Sequence, residues 1–427
     1  MSQNEFIKPE LVVGAGDLER LKIAAKFGAD AIYCGTNDFS LRAKCKNFSR
    51  EELAFASEFL HSRGKKLFVT VNSIIHEDKI GELKEYLLFL DSIKADAVIF
   101  SDMAVLMTAK EIGLKAKLHL STQASSANSL SLKFYRGQGV SRVNLARECS
   151  LEEIQKFPKV DGLTLEAFIH GAMCMSYSGR CLLSNFLTER GANDGACAQA
   201  CRWKYYLVEE KRPGEYMPIV QQCDKTLPEG CESKGETYIF NSRDLMAVDL
   251  LPQLYEAGVR GFKIEGRIKG PHYVALVTLA HRKAFDAFER AAAEKKEFVV
   301  ADEVYSMLNS VSNRGYIKGF YLGGIKSKDH NYIDSKYTKT YRMTGIISER
   351  TGSREYRVAV KNNIFAGRKY EFVSPAGIFE LEIASMKDPD GGNMTKATNQ
   401  KEAFITIAGA ENISFSEYDL IRERNSD

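Results

Sequence analysis

The stretch LVVGAGDLERLKIAAKFGADAIYC, residues 11–34, contains one complete strand–helix–strand unit. LVV at 11–13 and AIYC at 31–34 are short apolar runs, typical of strands that are buried on both faces. The segment between them has helical periodicity and ends in FGAD, whose glycine suits the C-terminus of a helix. Two buried strands joined by a helix predict a parallel sheet with helices packed on it.

The same unit recurs along the chain. Further strand-like runs are KLFVTV at 66, AVIF at 97, KLHL at 117, RVNLA at 142, LTLEAFI at 163 and GFKIEG at 261. Two of the intervening helices begin with a capping-box pattern, Ser49 with Glu52 and Ser150 with Glu153. Eight strands that alternate with helices predict a (β/α)8 barrel of the TIM type, with a doubly wound open sheet as the competing architecture.

Polar side chains follow most of the predicted strands, which favours the barrel. In a TIM-type barrel the C-terminal ends of the strands meet at one mouth and carry the catalytic groups. The polar residues at these ends are Asn72, Asp102, Gln123, Arg147, Glu148, Glu166, His170, Lys263, Glu265 and Arg267. Any one of them is as readily a loop cap or part of a salt bridge. GAGDLE at 14–19 lacks the third glycine of a dinucleotide-binding loop, so it is weak evidence for a Rossmann site.

An insertion interrupts the seventh unit and gathers cysteines. Roughly seventy residues separate the seventh strand from the helix DLMAVDLLPQLYEAG, and they include a predicted extra strand, ETYIFNSRDL. Long insertions in a barrel are usually functional. The clustered thiols, separated by six, fifteen and three residues, are Cys174, Cys181, Cys197 and Cys201.

Four thiolates can hold an iron–sulfur cluster, with [4Fe–4S] the expected form, or close a tetrahedral zinc site. Zinc sites usually show two tight cysteine pairs, whereas only Cys197 and Cys201 form one here, so the cluster is favoured and zinc is the alternative. Cys223 or Cys231 could replace Cys201 as the last ligand. A nucleophilic cysteine with His170 as its base is the rival use of the same residues.

Glu166 and His170, near the end of the seventh strand, are the candidate catalytic residues. The alternation of the strand allows Glu166 to face the barrel interior. The competing interpretations are a buried structural ion pair for Glu166 and a hydrogen-bonded structural histidine for His170.

The domain organisation follows from the change of pattern near residue 338. We predict a barrel over 1–299 with a metal-binding insertion at 171–243, a connector over 300–337 and a small all-β barrel domain over 338–427. The strands predicted for this last domain are YRMTGII, YRVAV, KYEFVSP, IFELEIAS, AFITI and DLIR.

Composition places the chain among ordinary globular proteins. It has 427 residues, a formal net charge of +3 and nine cysteines, an odd number that argues against a disulfide framework. The N-terminus resembles no secretory signal and no apolar run is long enough to span a membrane, so we expect a cytoplasmic protein without a membrane anchor. Because the net charge of the chain is only weakly positive, any contact with RNA must come from a local cluster of basic residues.

The segment around the first two clustered cysteines resembles a known family, the collagenase-like peptidases, which are family 32 of the class of unknown catalytic type. The residues that match the family signature are Glu166, Phe168, Gly171, Ala172, Met173, Cys174, Gly179, Cys181, Leu183 and Ser184. The resemblance continues through GACAQACRW, YIFNSRDL and FKIEGR and spans almost the whole chain.

The resemblance implies one of two activities. Some members of the family are described as proteases, while others are oxygen-independent hydroxylases that carry an iron–sulfur cluster. The chain is most similar to the branch that forms 5-hydroxyuridine at the tRNA wobble position with prephenate as cosubstrate, and the electron donor stays open. The alternatives are a peptidase and a hydroxylase of another RNA base or of a quinone ring. The ligand pattern of that branch falls on the four clustered cysteines.

The active site of such a hydroxylase needs side chains that bind a dicarboxylate and side chains that bind RNA. Cations pair with carboxylates through bidentate hydrogen bonds, so we expect prephenate to be bound at the barrel mouth. The candidate substrate-binding residues are Asn72, Gln123, Arg147, Arg243, Lys263, Glu265 and Arg267. Arg202, Trp203 and Lys204 combine charge with an aromatic ring and are the candidate RNA-binding residues, with a half-buried strand as the alternative.

Overall fold

The computed structural model describes residues 6–41, 46–174, 176–193, 196–205, 207–208, 216–217, 241–325, 329–331, 337–399, 401–409 and 413–425. Cys223 and Cys231, and residues 236–240 of the predicted extra strand, lie outside these described residues.

Eight parallel strands close into a barrel, as the sequence predicts. The first seven are β1 (Glu10–Gly14), β2 (Ala31–Cys34), β3 (Lys66–Val71), β4 (Ala97–Phe100), β5 (Lys117–Leu120), β6 (Arg142–Asn144) and β7 (Thr164–Ala172). The eighth, β11 (Val259–Ile264), pairs in parallel with both β1 and β7 and so closes the sheet. This closure removes the open sheet as an alternative.

Helices cover the outside of the barrel, and their starts follow from the local sequence. They are α1 (Leu18–Lys26), α2 (Arg50–His61), α3 (Ile80–Ser92), α4 (Met103–Glu111), α5 (Ser129–Gly137), α6 (Leu151–Gln155), α8 (Leu251–Glu256) and α9 (Pro271–Glu294). Both predicted capping boxes form, at Ser49 and at Ser150. After α1, Gly28 has φ +109°, a conformation that favours glycine.

The core has two layers. Most apolar side chains lie between the strands and the surrounding helices, while a smaller cluster fills the barrel itself. The members of this inner cluster are Val12, Ala31, Tyr33, Phe68, Ala97 and Ile99. Strands buried on both faces explain why the predicted runs are apolar without alternation.

The insertion leaves the barrel after β7 and returns alongside it. Its described elements are α7 (Leu183–Thr188), β8 (Leu207–Val208) and β9 (Tyr216–Met217), the last two paired with each other. The chain returns as β10 (Asp244–Met246), antiparallel to the end of β7. The predicted connector contains α10 (Asp302–Ser310) and β12 (Tyr316–Ile317), and β12 extends the sheet beside β10.

The C-terminal part is a second, antiparallel barrel, as predicted. Its closed ring consists of six strands: β13 (Tyr341–Arg350), β14 (Glu355–Val360), β16 (Arg368–Ser374), β17 (Gly377–Lys387), β20 (Glu402–Ala408) and β21 (Leu420–Arg424). The short strands are β15 (Ile364–Phe365), β18 (Asn393–Met394) and β19 (Lys396–Ala397). Among the described residues, no helix combines the length and the apolar character needed to cross a membrane.

Candidate functional site at the barrel mouth

A cavity opens at the C-terminal ends of the barrel strands, beneath the insertion. The side chains that line it from the barrel include Tyr33, Thr70, Asn72, Gln123, Asn144, Arg147, Phe168, Lys263, Glu265 and Arg267. Those that line it from the insertion include Ser176, Tyr177, Asn193 and the four clustered cysteines. The structure therefore brings together six of the seven candidate substrate-binding residues and all four candidate metal ligands.

Arg147 contacts both the cysteines of the insertion and the polar residues at the ends of the barrel strands. Its Nη1 donates to Cys174 Sγ at 3.8 Å, and its Nη2 lies 3.7 Å from Glu265 Oε2. The guanidinium also lies over the ring of Phe168, 4.2 Å from its centroid. Glu265 Oε2 accepts a further hydrogen bond from the Ala172 amide at 3.2 Å. These contacts fix the cation in a largely buried position.

Arg267 is held by strand β3 and by the loop that follows β2. It donates to Thr70 Oγ1 at 3.1 Å and to Asn47 Oδ1 at 3.0 Å. Gly35 lies against it, and a Cβ there would meet Thr70 Oγ1 at 2.4 Å. Asn72 nearby accepts from the Leu41 amide at 3.2 Å. The close packing of these loops positions a second cation at the cavity.

Asn144 also lines the cavity, although it is not among the candidate residues predicted from the sequence. Its side chain is 2% exposed at the end of β6, and within the described part of the chain its Oδ1 has no hydrogen-bond partner. A buried acceptor without a donor costs about 1–3 kcal/mol, so its presence in a cavity indicates a ligand that donates a hydrogen bond. Its position as the last residue of the strand RVN was the available signal.

The four cysteines line one cavity. Cys174 is exposed, and Cys181, Cys197 and Cys201 are partly exposed. Burial raises the pKa of Cys201, the charges of the other three thiols raise it further, and Arg202 opposes them. Within the described residues, no three cysteine, histidine or carboxylate side chains form a group that could hold a metal ion as they stand.

The insertion is fixed to the barrel by a few close contacts. Glu148 accepts from the Ser178 amide at 2.9 Å, and Ser125 Oγ donates to the Ser178 carbonyl. Gly179, with φ +76°, lies so close to the loop after β5 that a Cβ would be 2.0 Å from the Gln123 carbonyl oxygen. Glu148 therefore acts in the structure as an anchor for the thiol-bearing loop.

Glu166 lies inside the barrel below the cavity and does not line it. It is 2% exposed, accepts from Arg142 Nη1 at 3.0 Å and pairs with Lys263 Nζ at 3.1 Å. Burial raises the pKa of Glu166, but Lys263 and Arg142 outweigh this effect and hold it below its ordinary value. These contacts match the buried ion pair that the sequence left as the alternative to a catalytic role.

His170 points away from the cavity. Its ring is buried against Tyr273 and His281 of α9 and Tyr316 of β12, with centroid distances of 5.2 to 5.9 Å. The pairing of β7 with β11 is irregular after Phe168, where Lys263 faces Phe168 but Ile264 faces His170. A bulge of this kind shifts the alternation of side chains. Phe168 therefore lines the cavity, whereas His170 faces the helices.

The remaining candidates lie outside the cavity. Arg243 is the last residue of the insertion, and its side chain lies near Gly315. Asp102 caps α4 through its bond to the Ala104 amide at 2.9 Å. Arg202 donates to Gln199 Oε1 at 2.7 Å and to the Tyr337 hydroxyl at 3.2 Å. Trp203 is 45% exposed and Lys204 is exposed beside it.

The fold and the site define a (β/α)8-barrel protein with a cysteine-bearing insertion over its mouth and an antiparallel C-terminal barrel. The profile of Peptidase family U32 matches residues 16–331, and that of the Peptidase family U32 C-terminal domain matches residues 339–422. The chain belongs to peptidase family U32, as its resemblance to the collagenase-like peptidases indicates.

The chain is similar over most of its length to proteins named for tRNA hydroxylation and to a protein named collagenase. It is 33% identical over 392 residues to tRNA hydroxylation protein P1 of Bacillus subtilis, covering 91% of this chain and 89% of that one. It is 35% identical over 421 residues to tRNA hydroxylation protein P of Escherichia coli, covering 91% of each. A protein named collagenase from Porphyromonas gingivalis is 32% identical over 397 residues, covering 90% of this chain and 84% of that one.

Proposed function

We propose that this protein hydroxylates tRNA. The observation that carries the proposal is the cavity, which four thiols and the cations Arg147, Lys263 and Arg267 line together at the mouth of the barrel. Relatives named tRNA hydroxylation proteins match nine-tenths of the chain at 33% and 35% identity, which supports RNA as the substrate. Such a substrate agrees with the cytoplasmic location expected from the sequence.

The specific reaction that we propose is the conversion of a wobble uridine to 5-hydroxyuridine, without molecular oxygen and with prephenate as cosubstrate. A wobble base already lies in a single-stranded loop, so the enzyme need not open a duplex to reach it. The cavity lies at the catalytic end of the barrel, where such a base can enter.

Two cations of the cavity are suited to the carboxylates of prephenate. Arg147 is a planar donor at the thiol side, and Lys263 is a point charge on the floor of the cavity above Glu166. Asn144 adds an amide whose Oδ1 accepts a hydrogen bond from a hydroxyl or from an N–H of the uracil ring. In this arrangement the chain binds and orients both substrates.

The four thiols that line the cavity are the type of ligand that an iron–sulfur cluster requires, because such clusters are held by four cysteine thiolates. Cys174, Cys181, Cys197 and Cys201 would hold it, and when bound it supplies one-electron chemistry next to the cavity. Zinc is the alternative for the same thiols.

The function is tested on the tRNA of a strain that lacks this gene. We expect 5-hydroxyuridine-derived nucleosides to disappear from digested tRNA, as measured by mass spectrometry, and to return with the wild-type gene. An unchanged nucleoside profile in the deletion strain would contradict the proposal.

A peptidase is the second candidate, because the relative from Porphyromonas gingivalis is named collagenase. Thiol catalysis needs a base beside the nucleophile, and His170 is buried against α9 instead of facing Cys174 and the cavity. Cleavage of gelatin by the purified protein, abolished in Cys174→Ala and accompanied by unchanged tRNA, would favour this candidate.

A further inference from the structure

Three aromatic side chains project from the insertion into solvent. Phe186 on α7 is 87% exposed, Tyr177 is 68% exposed and Trp203 is 45% exposed. Leu182 is 72% exposed, and its carbonyl accepts from the Phe186 amide at 2.9 Å, so it lies one turn before Phe186 on the same face. Exposed apolar side chains that lie together, as Leu182 and Phe186 do, indicate a binding surface.

These rings lie on the segments that carry the thiols. Tyr177 lines the cavity, and its neighbour Ser178 is fixed by Glu148. The helix that carries Phe186 is tied to the segment of Cys197, because Ser184 Oγ accepts from the Ala198 amide at 2.9 Å. Trp203 follows Cys201 by two residues. The three rings therefore belong to the rim of the site.

The segments that carry the rings and the thiols are positively charged, which favours a negatively charged ligand. Residues 176–205 contain four cations, Arg180, Arg190, Arg202 and Lys204, against two acids, Glu189 and Asp194. A positive surface with separate exposed rings is the combination that binds single-stranded nucleic acid, in which phosphates meet the cations and unpaired bases stack on the rings.

We propose that Tyr177, Phe186 and Trp203 form a stacking rim for the unpaired bases of a tRNA loop. The rim holds the loop over the cavity while the target base enters it. This inference rests on the proposed tRNA hydroxylation and extends it to named contacts. Loss of one stacked base typically weakens binding by about tenfold to a hundredfold.

Trp203 gives a direct readout, because it is the single tryptophan of the chain. Its emission is recorded from the full-length protein, purified without oxygen, as unmodified tRNA is added, and its accessibility is measured with acrylamide. We expect bound tRNA to change the emission and to protect Trp203 from the quencher. Binding of tRNA that leaves the accessibility of Trp203 unchanged would overturn its place in the rim.

The two other rings are tested by substitution. Phe186→Ala and Tyr177→Ala should weaken tRNA binding by about tenfold or more, since each removes one stacking surface. Phe134→Ala is the control, because Phe134 is 53% exposed on α5, outside the insertion. Melting curves of all variants verify that they are folded.

The outcomes separate this inference from the function on which it rests. If the wild type binds tRNA and Phe186→Ala and Tyr177→Ala bind it equally well, the stacking rim is wrong and the hydroxylation proposal stands. If the wild type does not bind tRNA and the tRNA of the deletion strain is unchanged, both are wrong.

Discussion

At the scale of single residues, a chain of buried ion pairs supports the floor of the cavity. Arg142 Nη2 lies 2.6 Å from Glu10 Oε2 and its Nη1 lies 3.0 Å from Glu166, which in turn pairs with Lys263 at 3.1 Å. A buried charge is tolerated when it is paired, and removing one member leaves its partners uncompensated. Glu166 therefore holds Lys263 at the cavity without touching the cavity itself.

Glu166→Gln should destabilise the protein by about 3–5 kcal/mol, because it leaves Arg142 and Lys263 without their shared carboxylate. The matched control is Glu152→Gln, which breaks the exposed pair with Lys156 and should change stability by roughly 0.5 kcal/mol or less. Chemical denaturation measures both. A Glu166→Gln protein as stable as the wild type would contradict the structural role of this ion pair.

The buried histidines predict sensitivity to acid. Burial lowers the pKa of His281 to about 4, while an unfolded histidine titrates near ~6.5. Between these two pKa values the unfolded chain binds a proton at this histidine and the folded chain does not. The stability that the neutral His281 contributes is therefore complete above about pH 6.5 and is lost as the pH falls towards about 4. The free energy of unfolding should decrease by roughly 3 kcal/mol over this range.

Stability measured against pH in His281→Phe tests this prediction. The variant should lose less stability than the wild type between neutral and mildly acid pH, because it lacks one buried group that resists protonation. His76→Gln, a substitution of an exposed histidine, is the control and should follow the wild-type curve. A His281→Phe curve parallel to that of the wild type would contradict the account.

At the scale of elements, the contact between the insertion and the loop after β5 decides whether the thiols lie over the cavity. Gly179→Ala places a Cβ 2.0 Å from the Gln123 carbonyl in a backbone conformation that favours glycine, so this contact must open. We expect the variant to lose tRNA hydroxylation and to retain less iron on purification without oxygen.

Gly81→Ala is the control for this variant. Gly81 lies in α3, where a Cβ meets nothing within 4 Å, and alanine is the better helix former by about 1 kcal/mol. This substitution should leave activity and iron content unchanged. Equal behaviour of the two variants would show that the close approach at Gly179 is unimportant.

The strands and helices show which parts of the fold and of the site could be predicted from the sequence and which could not. The eight strands and both capping boxes were predicted because apolar runs and capping residues are local patterns in the sequence. The orientation of His170 was not, because it depends on a bulge that arises only when β7 pairs with β11. Asn144 escaped notice for a similar reason, since its lack of a partner is a property of the packed barrel.

At the scale of the whole molecule, Arg422 joins the C-terminal barrel to the first domain. From β21 it donates to Ser310 Oγ of α10 at 2.8 Å and lies 3.2 Å from His272 Nε2 of α9, while pairing with Glu371 at 2.7 Å. Lys26 of α1 adds a 2.6 Å pair with Asp419. These buried contacts fix the two barrels relative to each other.

Arg422→Ala should weaken this interface by about 1.5–3 kcal/mol, the usual cost of losing hydrogen bonds to a charged group. In calorimetry the C-terminal barrel should then unfold at a lower temperature than the rest of the chain. Arg424→Ala, an exposed position on the same strand, should leave the transition unchanged. Identical traces for the two variants would argue against a coupling role for Arg422.

The central claim is that the four cysteines over the barrel mouth hold an iron–sulfur cluster. It is tested most directly by measuring iron, sulfide and the visible spectrum of protein purified without oxygen. We expect a brown wild-type protein with iron and sulfide, a colourless Cys201→Ala variant, and an unchanged Cys34→Ala control, because Cys34 is buried in β2 and does not line the cavity. A colourless wild-type protein with stoichiometric zinc would contradict the claim.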